Sequence, residues 1–296
     1  MLIVSGRLLP VAPAHADALS ACTFAMSPAA FGQVDVLSGE ALGTNAVVTV
    51  RCPGIATLLG SILYACISFP TPRIMQGPSA TLAYDFTGPP PYTGSWSSST
   101  PVQIPLSLLL NGGSASVTVA AIILAGQQAT PPASYIYSGT ATVVFGLLPN
   151  CILNSYSTSF AVNVSATVIT VCNVTAQNID FGSTGLLASS IDAQGQVQAR
   201  CSANAAYAIG LNGGISGASD PAARLLRPSS GPGSITYGLY RDSGRGLGWG
   251  NTPGSNTVSA VGNAATQTFP IYARIPAQFS PLTGIYSDTI VVTVTY

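Results

Sequence analysis

Shifted along itself by about 150 positions, the 296-residue chain finds a second copy of its own pattern, and this duplication sets the number of units before any fold is considered. Cys22, Phe31-Gly32, Arg51-Cys52, Tyr84, Trp96 and Tyr137-Ser138 return as Cys172, Phe181-Gly182, Arg200-Cys201, Tyr237, Trp249 and Tyr286-Ser287. The offset stays between 149 and 153 throughout, so one module has been copied with only small insertions. A chain of this length holds two modules of ordinary domain size, each able to bury its own core.

What each module folds into follows from where its apolar residues fall. Hydrophobic residues make up 47% of the chain, but 31 Gly and 22 Pro cut them into short pieces, and no uninterrupted apolar stretch is long enough to span a bilayer. The pieces between the breakers are rich in Val, Ile, Thr, Ser and Tyr, the composition of many short strands joined by turns. Each copy ends in a strongly alternating run, Ser138 to Phe145 and Ser287 to Tyr296, where period-two patterning predicts a strand with one buried face. Another alternating segment, Ser159 to Val171, follows only the first run. Pattern alone does not decide whether it completes the first module or opens the second.

Six cysteines, an even number, fit an oxidising compartment. Cys22 and Cys52 lie 30 residues apart and Cys172 and Cys201 lie 29 apart, so the repeat predicts one disulfide in each copy. Closing a loop of that size removes unfolded-state entropy worth about 3 to 4 kcal/mol. Cys66 and Cys151, which have no counterparts in the second copy, are expected to pair within the first. A metal site is the rival reading, but close C-x-x-C pairs are missing and the only histidine is His15. Residues 1–16 hold one Arg, apolar residues and a small-x-small ending at Ala14 and Ala16, and read as a clipped or weak secretory signal.

Chemistry is poorly provided for. With His15 in the expected signal and no lysine, the exported chain has no Ser-His-Asp triad, Cys-His pair, zincin site or Lys nucleophile, and it is expected not to be an enzyme and to carry no cofactor. Asp35, Asp85, Asp180, Asp192, Asp220, Asp242 and Asp288 sit beside Gly, Ser or turn-forming residues and are read as turn caps. The glycine-rich run Gly244 to Gly250 (GRGLGWG) lies in no βαβ context and reads as a hairpin loop. Zero formal net charge leaves no electrostatic footprint for nucleic acid. So neutral, lysine-free a surface suits a chain that spends its life in an assembly.

Phe181-Gly182 after Cys172, Gly195-Gln196-Val197 before Cys201, then Arg274-Ile275-Pro276 and Gly284-Ile285-Tyr286-Ser287-Asp288-Thr289 together resemble the spore coat U family, which includes the pilins of archaic, Csu-type chaperone–usher pili. Over Ala21 to Phe145 the resemblance is weaker: the Phe-Gly, Cys and Tyr-Ser-Gly-Thr elements are present and the Arg-Ile-Pro element is not. The resemblance implies an all-β chain of two tandem immunoglobulin-like β-sandwiches, the second lacking its final strand and completed by a donor strand from the next pilin. It implies as partners a periplasmic pilus chaperone and an outer-membrane usher, with export through the periplasm to the cell surface. The expected division is 1–16 signal, 17–165 binding domain and 166–296 pilin domain. From the expected cleavage point to Cys22 only about five residues remain, too few for a donor strand at roughly 3.3 Å each, and the resemblance then places the chain at a fibre tip.

Function unique to one copy is expected where the first departs from the second. Ile55 to Tyr64, Pro89 to Trp96 and Ile104 to Leu110 are apolar stretches of the first copy, whereas the region around Trp249 carries Arg241, Asp242 and Arg245. Leu58, Leu59, Pro90, Pro91 and Tyr92 are the candidate surface-binding residues, since consecutive prolines before a tyrosine suit a loop tip and an exposed apolar patch marks a contact surface. Trp96 and Trp249, common to both copies, are read as positions of the fold. The leading expectation is a tip adhesin for abiotic or host surfaces that promotes biofilm formation; the alternative is a structural coat or fibre subunit without receptor binding.

Overall fold

Alternation of inward apolar and outward polar side chains, broken at turns, resolves into nineteen β-strands in the computed structural model, which describes residues 21–53, 64–88, 94–96, 100–105, 112–146 and 154–296. The chain divides into two compact units, the first built from residues up to Val168 and the second chiefly from Ile169–Tyr296.

In the first unit, β1 (Thr23–Met26), β3 (Leu42–Cys52), β8 (Gly113–Ile123), β6 (Thr81–Thr87), β5 (Ile74–Gln76), β9 (Ala133–Gly146), β10 (Asn154–Val168) and β2 (Ala29–Val34) are hydrogen-bonded in that order. β4 (Tyr64–Ser68) pairs with β9 and with β7 (Val102–Pro105). β9 therefore passes from β5 at its start to β4 at its end and joins the two layers of the sandwich. Between the layers lie Val48, Ile67, Leu82, Phe86, Val119 and Val143, all fully buried.

The alternating segment after β9 belongs to this unit. β10 pairs antiparallel with β9 along nearly its whole length and parallel with β2, and its inward residues Phe160, Val162, Val164, Ala166 and Val168 are buried. Burying a valine fully contributes roughly 1.5 to 3 kcal/mol, so this one strand supplies a large part of the core on its side.

The second unit repeats the plan. β11 (Cys172–Ala176), β12 (Ile191–Cys201), β17 (Thr266–Ile275), β15 (Ile235–Tyr240), β14 (Arg224–Pro228) and β18 (Tyr286–Ser287) form one sheet in that order. β16 (Val258–Val261), β13 (Ala206–Leu211) and β19 (Val292–Thr295) form the other. Strand for strand these match β1, β3, β8, β6, β5, β9, β7 and β4, with β18 and β19 as two halves of the β9 equivalent. What the second unit lacks, among the described residues, is any counterpart of β10 and of the β2 pairing that β10 makes.

Cys22, just before β1, is bonded to Cys52 at the end of β3, and Cys172, at the start of β11, to Cys201 at the end of β12. Cys66 is buried and disulfide-bonded, while Cys151, its expected partner, lies outside the described residues. The shared Phe-Gly pair has a backbone reason: Gly32 and Gly182 have φ of 69° and 72°, a conformation open to glycine and costly for side chains with a Cβ.

A second shared device escaped the comparison of the two copies. Arg73 and Arg224 occupy equivalent places, and each donates to the carbonyl three residues earlier (Pro70, Pro221) and to the carbonyl of the repeated tryptophan (Trp96, Trp249). Arg73 also pairs with Asp85. Arg224, wholly buried, instead adds the carbonyls of Leu211 and Asn212 at 3.0 and 2.8 Å. Burial pulls its guanidinium pKa down from the usual value.

Candidate functional site

Without a strand at the β10 position, the inner faces of the flanking segments of the second unit stand open. Residues 177–185, equivalent to the β2 region, form one wall, and residues 280–292, equivalent to β9, form the other. Between them runs a groove of about 860 Å³ with Leu187, Leu226, Ile235 and Ile271 in its floor. Ile179, Phe181, Tyr286, Ile290 and Val292 are only partly buried, although each packs against the core. At the rim Leu282 and Ile285 are 70% and 76% exposed. Leaving so much apolar surface in water is unfavourable and marks a surface that something covers.

The repeat supplies the register. Tyr286 corresponds to Tyr137, so Asp288, Ile290 and Val292 correspond to Gly139, Ala141 and Val143, which in the first unit face Val162, Phe160 and Thr158 of β10. Ile179 corresponds to Ala29, the β2 partner of Val164. An occupant set down like β10 is therefore an extended strand, antiparallel to residues 285–292 and parallel to residues 178–182, with every second side chain pointing in.

Midway along the groove sits a polar pair. Tyr237 Oη donates to Asp288 Oδ2 at 2.7 Å, while Asp288 Oδ1 accepts from the backbone N–H groups of Ile215 and Thr289, both at 2.7 Å. Burial first, and the Asp288 bond second, push the Tyr237 hydroxyl pKa far above the usual phenol value. In the first unit the equivalent Tyr84 hydroxyl is buried with no hydrogen-bond partner.

Not every aspartate is a plain turn cap. Asp35, Asp180, Asp220 and Asp242 do accept from backbone N–H groups a few residues on. Asp85 instead pairs with Arg73, and Asp192 pairs with Arg274 and Arg245, the Arg274 bonds holding its carboxyl below the ordinary carboxylate range. Asp288, read from sequence as a cap, also holds a side chain of the groove. The run Gly244 to Gly250 lies in a hairpin connection, closed by the Tyr240–Gly248 bridge and held by Asp242.

Phe181-Gly182 and Gly284 to Asp288 stood out in the sequence as motifs of a resemblance and not as walls of a groove; the register of Phe160 to Val168 against the repeated Tyr-Ser pair is the signal that gives them that role. Leu58, Leu59, Pro90, Pro91 and Tyr92 lie outside the described residues, but the strand ends that carry their connections are described. Thr87 and Ser95 form a bridge that closes the connection containing Pro90 to Tyr92, as Tyr240 and Gly248 do in the second unit. Cys52 pairs with Gly113, and Tyr64 with both Pro105 and Gly146. The connections 53–63, 106–112 and 147–153 thus begin and end at one pole of the first unit. Of the third apolar stretch, Ile104 is a buried residue of β7 and residues 106–110 are outside the described set.

Two family matches, both to the Spore Coat Protein U domain, cover residues 9–144 and 158–293. No curated protein sequence matches the chain significantly. Among solved structures, a chain of the CsuC-CsuE chaperone-tip adhesion subunit pre-assembly complex from archaic chaperone-usher Csu pili of Acinetobacter baumannii is 17% identical, with a TM-score of 0.55 over 92% of this chain and 100% of that one. CfaE, the adhesive subunit of CFA/I fimbria of enterotoxigenic Escherichia coli, is 12% identical, with 90% and 92% of the two chains covered and a TM-score of 0.33. The likeness to the Csu complex extends to the fold, two consecutive sandwiches over nearly the whole chain.

Proposed function

The chain belongs to the Spore Coat Protein U domain family, and on that premise we propose that it is the adhesive end subunit of a chaperone–usher fibre, whose second unit accepts a strand from the neighbouring pilin. The observation that carries this reading is the contrast between the units: the first is closed by its own β10, and the second has an open apolar groove at the same place. Strand addition satisfies backbone groups along both walls and covers alternate apolar side chains in one step. A periplasmic chaperone would hold the groove until an outer-membrane usher exchanges it for the pilin strand, and the assembled subunit lies at the cell surface. The similar chain named above comes from a complex that contains a tip adhesion subunit and is covered over its full length, which supports the end position. Family and fold are those of pilus structural and adhesin subunits, in keeping with a non-catalytic role.

Contact with abiotic or host surfaces, and hence biofilm formation, is assigned to the connections of the first unit that carry Leu58, Leu59, Pro90, Pro91 and Tyr92. Burying one tyrosine ring contributes something like 2 kcal/mol, which is weak alone, but many fibres per cell multiply it.

Two experiments test this. Appending a copy of residues 147–168 after Tyr296 should raise the yield of soluble monomer severalfold and increase its melting temperature; no gain in either would remove the strand-acceptor reading. In cells, Tyr92→Asp, and separately Leu58→Ser with Leu59→Ser, should reduce attachment to plastic while electron microscopy still shows fibres. Normal attachment by both variants would leave a structural fibre subunit as the better description.

A further inference from the structure

The two copies differ at a point of the groove where an occupant meets a charged group. In the first unit, β9 offers Gly139 opposite Val162 of β10, and the ring of Tyr137 lies over that glycine, so the aliphatic side chain meets no carboxylate there. In the second unit the same position carries Asp288, fixed by Tyr237 Oη and by the N–H groups of Ile215 and Thr289. The carboxylate has nowhere to retreat. Gly214, with φ of 70°, abuts it so closely that even a Cβ there would collide with Oδ2.

Each carboxylate oxygen accepts in two directions, and Oδ2 has one protein donor, Tyr237. A strand seated in the groove covers the carboxylate, and an aliphatic residue facing Asp288 leaves a buried charge short of a partner, a costly arrangement.

We propose that the strand accepted by the second unit carries a hydroxyl-bearing residue, threonine or serine, at the position facing Asp288, where this chain's own β10 has Val162. The proposal rests on the strand-acceptor reading above and adds to it a partner-selecting contact. The groove then favours a partner pilin over the β10 sequence of the chain itself, which fills the groove but is matched to the Gly139 environment of the first unit. Ordinarily, replacing a buried valine by the isosteric threonine weakens packing, because the hydroxyl loses water without gaining a partner. Here the sign reverses.

The test uses the full chain and two labelled peptides of residues 156–168, one native and one with Val162→Thr, which differ by a methyl against a hydroxyl. Fluorescence anisotropy should show the threonine peptide binding about tenfold tighter, a difference of about 1.4 kcal/mol. In the Asp288→Gly chain, which restores the arrangement of the first unit, the preference should vanish or invert. Equal binding by the unaltered chain, or tighter binding of the valine peptide, overturns the inference while leaving the strand-acceptor reading intact. A threonine preference that persists in Asp288→Gly overturns it as well. If neither peptide binds, the strand-acceptor reading falls and takes this inference with it. Should Asp288→Gly not fold, the comparison on the unaltered chain decides alone.

Discussion

Replacing Arg224 with methionine is expected to destabilise the second unit by about 3 kcal/mol or more, the largest effect anticipated for a single side chain there. Methionine fills similar space but donates no hydrogen bond, so the carbonyls of Leu211, Asn212 and Trp249 lose the guanidinium donor, while that of Pro221 keeps the Leu239 N–H. Each buried acceptor left bare costs about 1 to 3 kcal/mol, and relief from desolvating the guanidinium offsets only part of the total. Arg224→Lys should recover little, because a single ammonium cannot reach four carbonyls with the geometry of a planar fork. Hydrogen exchange on the intact chain, read by mass spectrometry, resolves the two units: β13 and β15 should lose protection while β3 and β8 keep theirs. Unchanged protection in β13 and β15 would show that the four bonds contribute little.

An effect of similar size is expected in the first unit from Val164→Asp. Val164 is 2% exposed and lies between Tyr137 of β9 and Ala29 of β2, so an aspartate there is an unpaired charge in a core. The cost is about 3 to 5 kcal/mol, enough to release β10 and open a groove like that of the second unit. Ala161→Asp, on the outward face of the same strand, should change stability by about 0.5 kcal/mol or less. In exchange measurements Val164→Asp should expose β2, β9 and β10 and leave β12 and β17 protected. Equal behaviour of the two variants would mean that β10 adds no stability to the sandwich.

Much of this architecture was legible in the sequence because it is written in periodic or repeated residues. The tandem Cys, Phe-Gly and Tyr-Ser elements gave the two units, and period-two alternation marked β9 and β10 as strands before their partners were known. The ownership of Ser159 to Val171 was not legible: alternation says that one face is buried, not against which sheet. Register answers it, through the β9 and β2 pairings that run to Val168. Arg73 and Arg224 were missed for another reason. A guanidinium that binds backbone carbonyls needs no partner side chain, so nothing beside it in sequence announces the role. Arg73 and Arg224 stand 151 positions apart, within the range of the repeat, but few neighbouring residues repeat with them to mark the match. Asp288 looked like any aspartate near a turn, since its distinction comes from Tyr237, 51 residues away.

β10 ends at Val168 and the first strand of the second unit begins at Cys172, so the segment that closes the first sandwich is also the leader of the second. In a fibre of separate subunits that relation, one subunit's leading strand filling the sandwich ahead of it, is an encounter between two molecules. Here a peptide tether has made it unimolecular. A short tether sets the effective concentration of the strand at its groove near the millimolar range, whatever the protein's dilution. Closure of the first sandwich is therefore insensitive to supply and needs no partner to arrive.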